Sequence, residues 1–356
     1  MNISEKRRRA AQRETPAAKN IPYKGHLTRS IVDTSASECL CVLRLAGAAF
    51  ECADDDVINN RHDRLNRVVM SLADPRITIW QHIVRREENR YPEGDFPPGY
   101  ARELNERFRA KVSAERLMAN ELYITVVLRT YANQTESVLA ALFAARSPEE
   151  IRKARLKQVA ELERVVADLV AALGYYEAEP LELYERNGVL FSEPGEFFNY
   201  LLAGRWERVP YAPVPLKHLI GGMRPVFGDE SVKILNPAGT HFGALLGIEA
   251  YPSETNPLFL ADLLTRPFEL VVTQSFEFHA KDAALLKMQL KGRRMENIGD
   301  AAQSQIDEIP ELADDLIARR TVMGGQHYTV MVKADNLDDL QENVADARRV
   351  LIAAGI

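Results

Sequence analysis

The chain has 356 residues, 46% hydrophobic and 27% charged, so it is long and apolar enough to bury more than one core of ordinary size. Its net charge of −6 provides no whole-molecule field that would hold nucleic acid regardless of sequence. Three cysteines, Cys39, Cys41 and Cys52, argue against a disulfide framework, and no stretch approaches the roughly 20 apolar residues of a membrane span.

The first residues are polar and basic (Lys6-Arg7-Arg8-Arg9) with no apolar stretch behind them, which is not the pattern of a secretory signal; the expected compartment is cytosolic. Glu38 to Leu45 has the bulky apolar composition of a half-buried strand, with Cys39 and Cys41 on one side of it. Asp54, Asp55 and Asp56 then open a helix to Leu72, where carboxylates complement the helix N-terminus better than they would serve a metal. Ile77 to Val84 reads as a second strand, the turn-rich Tyr91 to Gly99 leads into a polar helix from Tyr100 to Leu117, and Glu121 to Arg129 is a β-branched strand suited to a sheet centre. Ser147-Pro-Glu-Glu150 starts a helix that runs to Leu173, Leu181 to Tyr184 forms a short strand, and Ser192 opens a brief helix through Leu202. Trp206 to Pro225, with four prolines and a glycine pair, reads as an irregular crossover.

Beyond it, strands are expected at His241 to Ala250, Phe268 to Phe278 and Tyr328 to Lys333. Helices are expected at Pro257 to Leu264, across Ala280 to Arg320 with a break near Gly299 or Pro310, and from Asn336 to Ala353. This alternation predicts an α/β (α+β) protein with two small α/β-sandwich lobes of ferredoxin-like character, mixed sheets and long helices. The expected division is an extended segment over 1–35, a first lobe over 36–205, a crossover over 206–230 and a second lobe over 231–356.

Chemistry-bearing patterns are sparse. A phosphate loop needs a lysine followed directly by Ser or Thr, and none of the twelve lysines is. The Gly221-Gly222 and Gly324-Gly325 pairs therefore read as turns. The seven histidines, at 26, 62, 82, 218, 241, 279 and 327, show no metal-ligand spacing, and no G-x-S-x-G elbow is present. Neither a metal nor a cofactor is expected in this chain. Arg85-Arg86 and Arg293-Arg294 are the candidates for meeting phosphates or a partner's carboxylates.

Glu14-Thr-Pro-Ala-Ala18 with Ile21-Pro-Tyr23 and His26, Leu72-Ala-Asp-Pro75 with Ile79-Trp-Gln-His-Ile-Val-Arg-Arg86 and Tyr91-Pro, and Asn120-Glu-Leu-Tyr-Ile-Thr-Val-Val127 form one ordered set. Thr273-Gln-Ser-Phe276, Gln305-Ile-Asp-Glu308 and Val322-Met-Gly324 with His327 continue it. Together they resemble the N-terminal region of the type IV secretion and conjugal-transfer ATPases, the CagE/TrbE/VirB family. The resemblance implies a cytoplasmic, inner-membrane-peripheral motor whose ATP and magnesium are held by a C-terminal RecA-like domain that these residues do not include, so no catalytic residue carries over. It also implies docking on a small inner-membrane secretion subunit and other channel components, self-association with like subunits, membrane contact through partners only, and no direct nucleic-acid contact. The candidate interface residues are Ile21, Pro22, Tyr23, Arg85 and Arg86, although Ile21 to Tyr23 would also suit packing along the chain's own sheet. Two other readings stand beside docking: a self-contained enzyme with a dispersed His/carboxylate site, and a weak nucleic-acid-binding module through the arginine pairs.

Overall fold

In the computed structural model the described residues are 16–48, 53–88, 91, 94–114, 116–131, 147–237, 239–248, 260–298 and 303–355. Cys52, the basic run at Lys6 to Arg9 and the first three residues of the helix expected over Pro257 to Leu264 lie outside them; of the other five only Leu263 and Leu264 are helical, in the single 3-10 turn Leu263–Thr265.

The first half opens with β1 (Tyr23–His26), β2 (Ile31–Thr34) and β3 (Cys39–Leu45), an antiparallel meander. Helix α1 (Asp55–Ser71) leads to β4 (Ile77–Glu87), and α2 (Tyr100–Ala114) returns to β5 (Met118–Leu128). Strand β5 enters between β3 and β4, antiparallel to both, so β3 and β4 run parallel on either side of it. Helix α3 (Pro148–Ala172) follows. Its start is the expected one: Ser147 Oγ accepts from the Glu150 amide while the Glu150 carboxylate accepts from the Ser147 amide, with Pro148 at the first helical position.

A connecting segment holds β6 (Glu179–Pro180), the hairpin of β7 (Leu183–Arg186) and β8 (Val189–Ser192), and helices α4 (Glu193–Ala203) and α5 (Leu216–Ile220). The second half then repeats the strand order of the first. Another meander, β9 (Arg224–Phe227), β10 (Val232–Asn236) and β11 (Gly239–Gly247), is followed by β12 (Leu270–Phe278), helices α6 (Lys281–Ile298) and α7 (Gln303–Ile317), β13 (Gly324–Ala334) and α8 (Leu337–Ala353). Strand β13 lies between β11 and β12, antiparallel to both, as β5 lies between β3 and β4.

The α+β class is the expected one, but the strands do not form two separate mixed sheets. Strands β4 and β12 pair with each other, from Leu270 opposite Arg85 to Glu277 opposite Thr78, and join both halves into one 11-stranded sheet. Its order is β1-β2-β3-β5-β4-β12-β13-β11-β10-β9, with β6 also on β3, and every pairing among the described residues is antiparallel. The reason is local: β4 alternates side chains to both faces and is apolar on each, so it can be covered above, below and on both edges.

One face carries α1, α3 and α8. Cys39, Cys41, Leu43, Val126 and Leu128 meet Leu162 and Leu169 of α3, and farther along Val272, Val330 and Val332 meet Leu340, Ala347 and Leu351 of α8. Cys39 and Cys41 are buried on one side as expected, and that burial pushes both thiols up to about 12, so they act as small hydrophobes. On the opposite face Val42, Val84, Tyr123, Val127 and Val271 are covered by Phe197, Phe198 and Tyr200 of α4 and by Leu216 and Ile220 of α5. The expected helix break falls where α6 ends at Ile298, and Pro310 is accommodated inside α7.

Candidate functional site

The residues singled out for partner contact separate in three dimensions. Ile21 is buried in the core under α5, so its side chain is not the exposed contact expected of it; an isoleucine beside an apolar sheet face gains more from that burial than from solvent. Pro22 is exposed, and Tyr23 stacks flat on Phe198 with ring centroids 3.9 Å apart. Burial raises the Tyr23 phenol to about 12. Arg85 and Arg86 are adjacent in a strand and therefore point to opposite faces. Arg85 is buried, donating to the Arg266 carbonyl (2.6 Å) and Asn120 Oδ1 (3.0 Å). Arg86 forks onto Glu121 at 3.1 and 2.7 Å, reaches Glu88 at 2.8 Å and lies over the Trp206 ring. They do not form a joint basic patch, because each is satisfied by its own surroundings.

Arg86 does line a highly charged cleft, about 320 Å³ between the end of α4 and the ends of β4, β11 and β13. Lys333 forms its floor. The buried Nζ donates to the Tyr200 hydroxyl (2.6 Å) and the Gly204 carbonyl (3.3 Å) and stands 3.2 Å from Glu269 Oε2. Burial lowers its affinity for the proton, while Glu269 opposes that shift. Gly204 adopts a left-handed conformation as the cap of α4, which turns its carbonyl toward the ammonium. Beside it Arg205 Nε donates to His241 Nε2 (2.7 Å), which leaves Nδ1 to carry the proton toward Asp335, 3.3 Å away. Arg86, Arg116, Arg205 and Lys333 line the cleft with Glu87, Glu269 and Asp335, and Glu121 and Glu88 pair with Arg86 from outside it, so each cation has a carboxylate within 4.0 Å. Such a network ties elements together; it has no surplus charge with which to hold a phosphate, and no metal-ligand cluster occurs among the described residues. The sequence signal that was available for it is Lys333 at the end of an otherwise apolar strand.

A second hollow, about 230 Å³, lies beside β1 between Lys24, His26 and the Tyr211-Ala-Pro-Val-Pro215 run. Ser192 Oγ accepts from the Gly195 amide (2.9 Å) as the cap of α4 and is hydrogen-bonded with His26 Nε2 (2.7 Å). The pair resembles a nucleophile with its base, yet Ser192 is fully buried and its role is the cap. Burial lowers the His26 pKa. His82 lies deep between sheet and α4, and His279 is held by Lys287 (2.9 Å). The dispersed histidines are thus not gathered into one site.

Comparison with known proteins gives two matches to family descriptions. Residues 179–356 match the "CagE, TrbE, VirB family, component of type IV transporter system", and residues 30–136 match the "Type IV secretion system ATPase VirB4/TrbE, N-terminal domain". The chain is 33% identical over 346 residues to the type IV secretion system protein virB4 of Bartonella quintana, which covers 97% of this chain and 44% of that protein. Protein virB4 of Rhizobium radiobacter is 30% identical over 94% of this chain and 42% of its own length. The virB4 protein of Brucella melitensis is 28% identical over 99% of this chain and 43% of its own. The chain therefore spans less than half the length of these relatives.

Proposed function

Because the chain belongs to the CagE/TrbE/VirB family of type IV transporter components, we propose that it serves as a scaffold and docking region of a type IV secretion ATPase at the inner-membrane base of the channel, contributing binding surfaces rather than hydrolysis. The lysine-Ser/Thr step that a phosphate loop requires is absent from all 356 residues, which supports assigning no ATP chemistry to them. No helix of the described residues is long and apolar enough to cross a membrane, so attachment through partners is the reading that fits.

The observation that carries the docking reading is the position of β1. Among the described residues it ends the sheet with β2 as its paired neighbour, and its exposed Lys24 borders the hollow whose far wall carries the exposed Tyr211. A terminal strand offers backbone donors and acceptors to an added segment, and a neighbouring hollow gives side-chain selectivity. The partner assigned to it is the small inner-membrane secretion subunit.

Removing residues 1–30 would be a poor test, since it also removes Ile21 from the core. The variants Lys24→Glu and Tyr211→Ala change exposed side chains whose contacts within the fold, the 3.8 Å Lys24–Asp33 pair and the edge contact of Tyr211 with His26, are weak surface ones. They are expected to reduce co-purification with the small membrane subunit while leaving thermal unfolding unchanged; undiminished recovery of that subunit by both variants removes the docking claim.

A further inference from the structure

Helix α1 buries one face, with Leu65, Val68 and Val69 packed toward the sheet. Arg61, Arg64 and Arg67 follow one another at three-residue steps on another face, each about 60° back from the last, so all three occupy a sector of roughly 120°. They line two adjoining hollows of about 410 and 320 Å³, closed on the far side by Tyr175 and Tyr176 beyond the end of α3.

Two of these three charges have no counter-charge among the described residues. Arg61 lies over the Tyr175 ring, 4.6 Å from its centroid, and donates to its hydroxyl. Arg64 and Arg67 are exposed and make no hydrogen bond or ion pair among the described residues. Arg76, Arg86 and Arg155 are each paired with a carboxylate, while Arg152, Arg164 and Arg348 are as exposed as Arg64 and Arg67; what sets Arg64 and Arg67 apart is that they stand with Arg61 on one helix face over the same hollow. The acids nearest in sequence are used otherwise, with Asp54 to Asp56 at the start of α1 and Asp63 beside His62. Three like charges on one helix face repel one another, and a chain of net charge −6 has no need of them for solubility.

We propose that this groove binds a phosphoryl group. Two guanidinium forks with no partner among the described residues, and a third held by a phenol, line the same groove. A phosphoryl group carries three acceptor oxygens and up to two negative charges, against two oxygens and one charge on a carboxylate, so it answers several guanidinium forks more fully. The half-exposed Tyr175 ring and the exposed Val57 at the mouth of the larger hollow give apolar contact to whatever carries the phosphoryl. The carrier is a lipid headgroup or a soluble phosphate, and the two are separated by experiment.

The wild-type chain is titrated with inorganic phosphate and pyrophosphate by calorimetry at low salt, and co-sedimented with vesicles of phosphatidylcholine with and without phosphatidylglycerol. The double variant Arg64→Glu/Arg67→Glu is expected to weaken binding by about tenfold or more, as the loss of charge-assisted contacts implies. Tyr175→Ala, which changes no charge, should weaken it as well. Arg348→Glu, the same reversal at an exposed site on α8, should leave it unchanged. Binding only to phosphatidylglycerol vesicles assigns the lipid headgroup, and binding to the free anions assigns a soluble ligand. Absence of binding to every probe, or an equal loss in Arg348→Glu, overturns the proposal.

Discussion

His82 should make the fold acid-sensitive by an amount that the structure sets. The imidazole is 7% exposed, and its side of the sheet is covered by Phe197 of α4, with Trp80 stacked beside it. Across the strands it faces Tyr123 and Thr273, and its one hydrogen bond is Nδ1 with Thr273 Oγ1 at 3.0 Å. No carboxylate belongs to this set, so burial dominates and lowers its pKa from 6.5 to about 4. The folded state therefore resists a proton that the unfolded chain accepts. The resulting stability is present above pH 6.5 and is lost as pH falls toward about 4. At about 1.4 kcal/mol per pH unit, that window is worth roughly 3 kcal/mol, a large part of the total for a typical domain. The assay is urea unfolding at about pH 7 and about pH 4, compared between wild type and His82→Gln, which keeps a polar partner for Thr273 but cannot titrate. Subtracting the two pH dependences cancels the carboxylates common to both. Wild type is expected to lose about 3 kcal/mol more than the variant; equal losses would refute the account of a buried neutral imidazole.

Two further substitutions probe the core and the cleft. Leu162→Ala opens a cavity where α3 meets the sheet, and should cost about 2–5 kcal/mol, seen as a lower urea midpoint with an unchanged slope. Glu269→Gln leaves the Lys333 ammonium buried with the Tyr200 hydroxyl and the Gly204 carbonyl and no counter-charge, a loss of about 3–5 kcal/mol near neutrality. Because the folded Lys333 pKa is below its ordinary 10.5, this deficit should shrink as pH rises toward that value, and a variant as stable as wild type at neutral pH would refute the pairing.

Much of the secondary structure was legible from residues a few positions apart. Ser147, Pro148 and Glu150 define the start of α3 on their own, and the β-branched run from Glu121 marks β5. The β7–β8 hairpin could have been read as well: Asn187-Gly188 is a strong two-residue hairpin turn, and both residues have the positive φ that such a turn requires. The short terminal strands β1 and β9 were not legible, because four residues that include Gly25 or Pro225 carry too weak an alternation. Least legible was the pairing of β4 with β12. Their partners are some 190 residues apart, and nothing in either strand names the other. The same limit applies to the cleft, since Tyr200, His241, Glu269 and Lys333 come from separate elements and meet only once the sheet has formed.

The sheet order helps to locate the asymmetric part of the molecule. Read from either end toward the β4–β12 seam, it gives the same sequence of roles: a meander of three strands, an inserted strand, then the seam strand, with α3 and α8 in matching positions on one face. The main departure from this repeat is the segment between the halves, Glu179 to Ile220, which supplies α4 and α5 to the opposite face. Both clefts on that face depend on it: Tyr200, Gly204, Arg205 and Trp206 wall the Lys333 cleft, and Ser192 and Tyr211 wall the hollow beside β1. A repeated sheet alone would present two equivalent surfaces. The inserted segment makes them different, so the hollow beside β1, where docking is proposed, is walled by residues that the repeat itself does not supply.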